Sequence, residues 1–358
     1  MKHLEIYRSL KNDIAERRFA PENRLPGESS LVTRFKAARE TVRRALAQLQ
    51  REGLVEKRNG IGTFVTKRGE RKTGLLGLLL PTLASSEFFA DIKNEIEAAA
   101  RRAGYRIVLE TIEKTTPSDT ALNARRIARR LLVNRIEGVL FRPLVDDRFA
   151  KCNLEILRIF KNAETPAVLL DADAVPPPQR SNLDLVAINN VRAGQCVAQH
   201  LVERNRRRIA FMMQGKSIGP NPNWKNRLFG VAGELALLGV DTGVQTLSFA
   251  PDDARALKAV LKRKTAPDAI VCGNDETAAE LVKTLVALGM RVPEDVAVVG
   301  FDDANFARTS VPPLTTISQP VKLLAKTALK TLLSRIRFPE NAPREILLDA
   351  PLVVRRST

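Results

Sequence analysis

From Gly74 onward the chain alternates short apolar runs with amphipathic helical stretches, and that alternation leaves few folds open. The runs are "GLLGLLLP", "YRIVLETI", "IEGVLFRP", "PAVLLDAD", "RRIAFMMQ", "VQTLSFA", "PDAIVCGN" and "VAVVGFDD". Helical spacing of apolar residues recurs between most of them, as over Ile92–Ala103, Ala121–Val133, Ala193–Val202 and Thr277–Leu288. Strand–helix alternation implies parallel, doubly wound sheets. The units are too many for one sheet of ordinary size. A faint internal echo of strand, loop, helix, Gly and strand divides them into two similar α/β subdomains facing one cleft.

The first 66 residues obey other rules. Tyr7, Leu10 and Ile14 share one helical face, and "FAPENRLPGESS" supplies turn chemistry. Leu31, Val32 and Phe35 mark a short second helix. In "RETVRRALAQLQREG" the stripe Val42, Ala45, Leu46 and Leu49 defines a third helix that ends at Gly53. Burying that stripe leaves Arg39, Glu40, Arg43 and Arg44 on or beside the exposed face. "KRNGIGTFV" follows, where Asn59-Gly60 predicts a two-residue hairpin turn with Lys57 and Arg58 against it.

Charge separates the two pieces as well. The chain of 358 residues has a net charge of +18, and an anionic partner is the natural prior. Through Thr73 there are 18 Lys+Arg against 9 Asp+Glu, so half of the excess lies in the first fifth of the chain. The start is charged and helix-patterned, unlike a signal peptide, and no apolar run approaches the roughly 20 residues that a membrane span needs. Cys152, Cys196 and Cys272 are odd in number and widely spaced, and His3 and His200 are the only histidines. No disulfide framework, zinc site or metal cluster is expected, and the reading is a cytoplasmic protein.

Three helices, the last exposing arginines near its start, followed by a basic hairpin, make the outline of a winged helix-turn-helix. Such a helix reads base edges in the major groove while the wing meets phosphate or minor groove. The residues "LPGES", "RETVRRAL", "EGLV" and "GTFV" closely resemble the GntR-type DNA-binding domain over residues 4–65. The resemblance implies DNA contacts at Arg39, Thr41, Arg43 and Gly60. The exposed pattern adds Arg44, Lys57, Arg58 and Asn59. Ala38 stands where that family usually has Ser or Thr, which costs a helix cap and a phosphate contact.

In open α/β sheets ligands bind beyond the C-terminal ends of strands. Strand ends and following loops here supply Phe88, Phe89, Arg142, Asp171, Trp224, Arg227, Asn274, Asp275, Asp302 and Asp303. Carboxylates, amides and arginines with one or two aromatic platforms suit a polyhydroxylated ligand. Asp171 and Asp303 are also open to roles as helix caps or turn formers, and Phe89 suits the core. There is no nucleophile–base pair and no phosphate-cradling Gly-rich loop, so no enzyme and no cofactor is expected.

The stretches "GLLLP", "IEGVLFRP", "PAVLLD", "GNDETA", "VPEDVAVVGFDD" and "PPLTTISQP" resemble the LacI/GalR effector domain, similar in fold to periplasmic sugar-binding proteins, from residue 74 to about 356. The resemblance implies ligand contacts at Phe88, Arg142, Asp171, Arg227, Asn274, Asp302 and Gln319, with Trp224 in the same loop as Arg227. Arg142 stands where other members have Asn or Glu, and with Arg227 it would suit a uronate or phosphorylated sugar.

The expected architecture is therefore a winged helix-turn-helix (α+β) over 1–66, a linker over 67–73, and a periplasmic-binding-protein-like α/β domain over 74–358. Its first subdomain is expected from about 74–187 and 321–338, its second from 188–320 and 339–358. The expected function is a ligand-responsive, homodimeric repressor of carbohydrate utilisation. It would bind a double-stranded DNA operator, take a sugar or acidic or phosphorylated sugar as effector, and need no membrane. The alternative is a constitutive dimeric DNA-binding protein whose large domain serves only dimerisation.

Overall fold

The structure, a computed structural model, describes residues 2–16, 18–19, 22–58, 60–66, 73–81, 87–113, 115–213, 222–240 and 243–358. Asn59, one of the expected wing contacts, lies outside these residues, as does 67–72 of the expected linker.

The N-terminal unit is α1 (Lys2–Ala15), α2 (Glu28–Phe35), α3 (Arg39–Arg51) and a hairpin of β1 (Val55–Arg58) and β2 (Gly62–Val65). Ile6, Leu10 and Ile14 of α1 meet Leu31 of α2 and Val42, Ala45 and Leu49 of α3, and Val55 and Val65 close the core from the hairpin. Leu46, the fourth stripe residue, sits at the margin of that core. α3 ends at Gly53, whose φ of 67° is the left-handed conformation that stops a helix. The hairpin departs from expectation. Arg58 pairs with Gly62, so the loop holds three residues, 59–61, and not two. Gly62 has φ 140°, a conformation that lets the strand absorb the extra residue.

The body follows as β3 (Leu75–Pro81), α4 (Glu87–Arg102), β4 (Arg106–Ile112), α5 (Pro117–Val133), β5 (Val139–Phe141), α6 (Ala150–Asn162), β6 (Ala167–Leu170) and β7 (Asp184–Ile188). It continues with α7 (Asn190–Glu203), β8 (Ile209–Met212), α8 (Pro222–Leu237), β9 (Gln245–Leu247), α9 (Ala254–Leu261), β10 (Ala269–Cys272), α10 (Asp275–Ala287) and β11 (Ala297–Asp302). It ends with α11 (Asn305–Thr309), β12 (Thr315–Ser318), α12 (Val321–Arg337), β13 (Glu345–Leu348) and β14 (Leu352–Val353).

Two six-stranded sheets result. The first has the order β13-β7-β6-β5-β3-β4, all parallel; the second has β14-β12-β11-β10-β8-β9, parallel except for β14. Buried apolar strands such as Leu76, Leu78 and Leu80 of β3 are covered on both faces by helices, as parallel sheets require. The order reverses at β3/β5 in one sheet and at β8/β10 in the other, and the two reversal points open toward the same cleft.

One expected boundary is corrected. Residues 339–358 were assigned to the second subdomain, yet β13 pairs in parallel with β7 of the first, and only from Leu352 does the chain join the second sheet. Asp184 explains the placement. Its carboxylate is buried and accepts hydrogen bonds from Arg335 Nε at 2.8 Å and from Arg344 N at 2.9 Å, so it ties α12 and the entry of β13 to the start of β7. The chain therefore crosses between subdomains three times, near residues 189, 320 and 350.

α7 and α8 cross with glycine against backbone. A Cβ on Gly194 would lie 2.2 Å from the Arg227 carbonyl oxygen, and one on Gly230 would lie 2.0 Å from that of Val191. This contact fixes the helix that carries Asn223, Trp224 and Arg227 into the cleft.

Candidate functional site

The recognition surface and the cleft are built separately. At the N-terminus of α3, Ala38 is the N-cap and offers no side-chain hydrogen bond. Arg39, Arg43 and Arg44 are exposed and Thr41 is half-buried. Glu28, in the first turn of α2, gathers the cations around it: Arg43 Nε donates to its carboxylate at 2.9 Å, Arg39 Nε at 3.2 Å, and Lys57 Nζ stands 3.8 Å away. The Arg43 hydrogen bond leads the effects that hold the Glu28 carboxyl below its ordinary value. Three of the expected DNA contacts are thus arranged by one acid that sequence reading passed over.

On the wing, Arg58 is exposed and engaged by its neighbours. Its Nε and Nη2 donate to Glu56 at 2.8 and 2.6 Å, and its guanidinium lies 4.6 Å from the centre of the Phe64 ring. Gly60, with φ 75° and nothing within 4 Å of an added Cβ, keeps the tip open to close approach.

In the cleft, Arg142 follows β5 and Asp171 follows β6. Arg142 Nε and Nη2 both donate to Asp171 Oδ2, at 3.1 and 2.9 Å, and both side chains are buried. Asn223, at the start of α8 in the other subdomain, donates to Asp171 Oδ1 at 2.9 Å. From that second side, Arg227 Nε donates to Asn190 Oδ1 at 2.8 Å and Nη1 to the Gly273 carbonyl. Its Nη2 stands 3.9 Å from Asp302 Oδ1, and its plane lies 4.3 Å from the Phe301 ring centre. Gln319 Nε2 donates to the same Asp302 oxygen at 2.7 Å. Asp171, Asp302 and Asp303 have φ of 65°, 113° and 56°, a region that side chains other than glycine enter only where the surroundings enforce it.

Electrostatics follow from this packing. Burial pushes the Asp302 carboxyl up to about 6, against the opposing pull of Arg227 and the Gln319 hydrogen bond. Asp275, deeper, is held well above the carboxylate range by burial and by Asp302, although Thr316 Oγ1 and Ala304 N donate to it at 2.6 and 2.9 Å. Burial lowers the pKa of Arg227 as well. Gln319 Oε1 is buried and has no partner among the described residues.

Four expectations need restating. Phe88 was expected as a platform but is buried in the core, and it is Phe89 whose ring lies 4.9 Å beneath the Arg142 guanidinium. Trp224 is buried against Gly273, where a Cβ would lie 2.1 Å from the indole, so the missing side chain of that glycine fixes where the ring lies. Asn274 spends its Oδ1 capping α10, accepting from Thr277 N at 3.0 Å. Asp303 is engaged by Arg355 at 2.6 Å and Arg308 at 3.6 Å, away from Arg227.

Asn190 and Asn223 were missed, since an asparagine beside a helix start gives no signal of which way its amide turns. Glu87 was missed too: its carboxylate accepts from the Asn305 backbone N at 2.6 Å, a second bond between the subdomains. Beside Asp171, Asn190 and Asn223 the cleft continues into a cavity of about 240 Å³ reaching Arg180 and Glu345. Among the described residues no three His, Cys, Asp or Glu side chains group as a metal site, and no helix is long and apolar enough to cross a membrane.

Comparison with known proteins agrees with both halves. Residues 2–65 match the bacterial regulatory proteins of the gntR family, and residues 198–358 match the periplasmic binding protein-like domain. The arabinose metabolism transcriptional repressor of Geobacillus stearothermophilus is 26% identical over 369 residues, covering 100% of this chain and 97% of the relative. The HTH-type transcriptional regulator CelR of Thermobifida fusca is 28% identical over 326 residues, covering 90% and 89%. Among solved structures, a CelR–cellobiose complex superposes with a TM-score of 0.67 at 27% identity, covering 89% of this chain and 90% of that one.

Proposed function

We propose that this chain, a GntR-type winged-helix domain joined to a periplasmic-binding-protein-like body, is a homodimeric repressor of carbohydrate utilisation that a sugar releases from its operator. The observation that carries the reading is the Asp171 carboxylate, which binds Arg142 of its own subdomain and Asn223 of the other. A ligand that engages this set changes how the subdomains sit together, and with them the spacing of two heads in a dimer.

The same set argues for a neutral, polyhydroxylated effector. Arg142 is matched by Asp171, and Arg227 faces Asp302 with two of its donors already used. An anionic sugar would have to break an established pair and face the carboxyls of Asp171, Asp275 and Asp302. The buried Gln319 Oε1 calls for a donor, which a hydroxyl supplies. Uronates and sugar phosphates, suggested by two arginines alone, lose their rationale once both arginines are matched.

Arg39, Thr41 and Arg43 read bases, and Arg44, Lys57 and the wing tip at Gly60 position the backbone. No catalytic step is assigned. His200, which shares a hydrogen bond with Thr358 at 2.8 Å, stands outside the cleft set, and of the carboxylates there Asp171 and Asp302 face arginines. The protein works in the cytoplasm, beside its operator.

The test is a gel shift on the DNA upstream of the gene at about 0.15 M salt, because phosphate contacts make affinity steeply salt-dependent. Pooled neutral pentoses, hexoses and disaccharides are compared with uronates and sugar phosphates. Release by a neutral pool supports the reading. Release by an acidic pool alone overturns the neutral-effector assignment, and a specific band indifferent to every pool favours a constitutive binder.

A further inference from the structure

Four arginines surround the point where the chain enters the body. Arg101 and Arg102 close α4, Arg106 opens β4, Arg135 follows α5, and all four are exposed. Backbone contacts gather them around the entry. Thr73 Oγ1 donates to the Arg135 carbonyl at 2.8 Å, and Arg106 N donates to the Gly74 carbonyl at 2.8 Å. Among the described residues none of these four guanidinium groups has a carboxylate partner. Elsewhere on the body some exposed arginines are neutralised, as in Arg130–Glu110, Arg148–Asp146, Arg192–Asp349 and Arg291–Asp295, and others, such as Arg129 and Arg263, stand singly; here four lie around one point. The acid at this end, Glu137, is buried and accepts from Gly74 N at 2.7 Å. The C-terminal dipole of α4 gives Arg101 and Arg102 a structural reason to be there, but it does not reach Arg106 or Arg135.

Chain length ties this surface to the head. From Thr66 to Thr73 there are seven Cα–Cα steps, which span no more than about 25 Å even when fully extended. Arg8 and Lys11 of α1 face Thr73, Gly74 and Gly104 across a groove of about 570 Å³. The tether therefore keeps the head close to this end of the body, and a duplex, which presents one negative charge for about every 1.7 Å of its axis, is long enough to extend past the head.

We propose that this end of the first subdomain is a second DNA contact, at which Arg101, Arg102, Arg106 and Arg135 neutralise phosphates flanking the sequence read by the head. The contact rests on the reading that the head binds DNA. It carries no sequence preference, because backbone phosphates carry none. It supplies affinity and makes the body, not only the head, part of the DNA-bound assembly.

The test compares the full chain with a variant carrying Arg101→Gln, Arg102→Gln, Arg106→Gln and Arg135→Gln. Binding to operator and to random duplex is measured across a salt series. Each lost phosphate contact reduces the steepness of log affinity against log salt by about 0.9, so the expected change is about 2 to 4 on both duplexes, with the operator preference kept. The corresponding four Arg→Lys changes should restore most of the slope. Unchanged slopes in a variant with unchanged thermal unfolding overturn the proposal, as does a lost operator preference at unchanged slope. If the unaltered chain shows no operator preference, the repressor reading falls, while the slope on random duplex still decides this one.

Discussion

Asn223 and Asp171 join the two subdomains through a 2.9 Å hydrogen bond, and the other oxygen of the same carboxylate holds Arg142. The two contacts separate by mutation. Asn223→Ala removes only the bridge and should weaken effector binding by about 1 kcal/mol, or about fivefold, in a calorimetric titration. Asp171→Asn leaves Arg142 buried without its carboxylate and should cost about 3–5 kcal/mol in urea unfolding. A loss below about 1 kcal/mol would show that Arg142 finds another partner.

Glu28 competes with phosphate for Arg39, Arg43 and Lys57. Glu28→Gln should raise affinity for random duplex several-fold and steepen the salt dependence by about one phosphate contact, lowering the ratio of operator to random binding. Fluorescence anisotropy on both duplexes decides it, and unchanged random binding would refute the competition.

A pH dependence follows from Asp302. Its folded-state value near 6 lies above the ordinary carboxylate value, so between about 4 and 6 the folded state binds more protons than the unfolded one. The stabilising contribution of the protonated form is complete below about 4 and is lost as pH rises through 6. Effector binding runs the other way, because a carboxylate accepts from hydroxyls better than a carboxylic acid does. Arg227, Gln319, Asp171 and the more deeply buried Asp275 are the groups that set this titration. Affinity should fall about fivefold from pH 6 to pH 5, and Asp302→Asn should flatten the profile.

Two glycines of α8 provide a paired test. Gly230→Ala places a methyl 2.0 Å from the Val191 carbonyl oxygen and should destabilise by at least about 1–3 kcal/mol while weakening effector binding, since Asn223 and Arg227 ride on the displaced helix. Gly233→Ala, with nothing within 4 Å of the new methyl, should stabilise by about 0.5–1 kcal/mol. Equal effects at both positions would mean that the helices separate without penalty.

The sequence announced elements wherever burial was two-sided and uninterrupted. β3, β10 and β11 are apolar runs in continuous text, and the α3 stripe has clean helical spacing. β13 was misplaced because an edge strand alternates exposed and half-buried residues and so resembles a surface loop. Pairing with β7 depends on Asp184 meeting Arg335 and Arg344, a contact between residues about 150 apart that no local pattern shows. In the cleft, arginines and aspartates at strand ends were legible from position alone. Their pairing was not, and it is the pairing that matches each of the two arginines with a carboxylate. Trp224 was read from the chemistry of its side chain, while its position is fixed by the missing Cβ of Gly273.

The late arrival of β13 also bears on how the protein is made. Five strands of the first sheet are complete by Ile188, yet its edge is closed by residues 345–348 and its helical layer by Val321–Arg337. A ribosome must therefore release nearly the whole chain before the first subdomain can finish, and β7 waits with an open edge throughout. Distant pairings of this kind slow folding and leave strand edges prone to misassociation. Truncation after about residue 340 should thus yield aggregated protein, not a shorter folded chain.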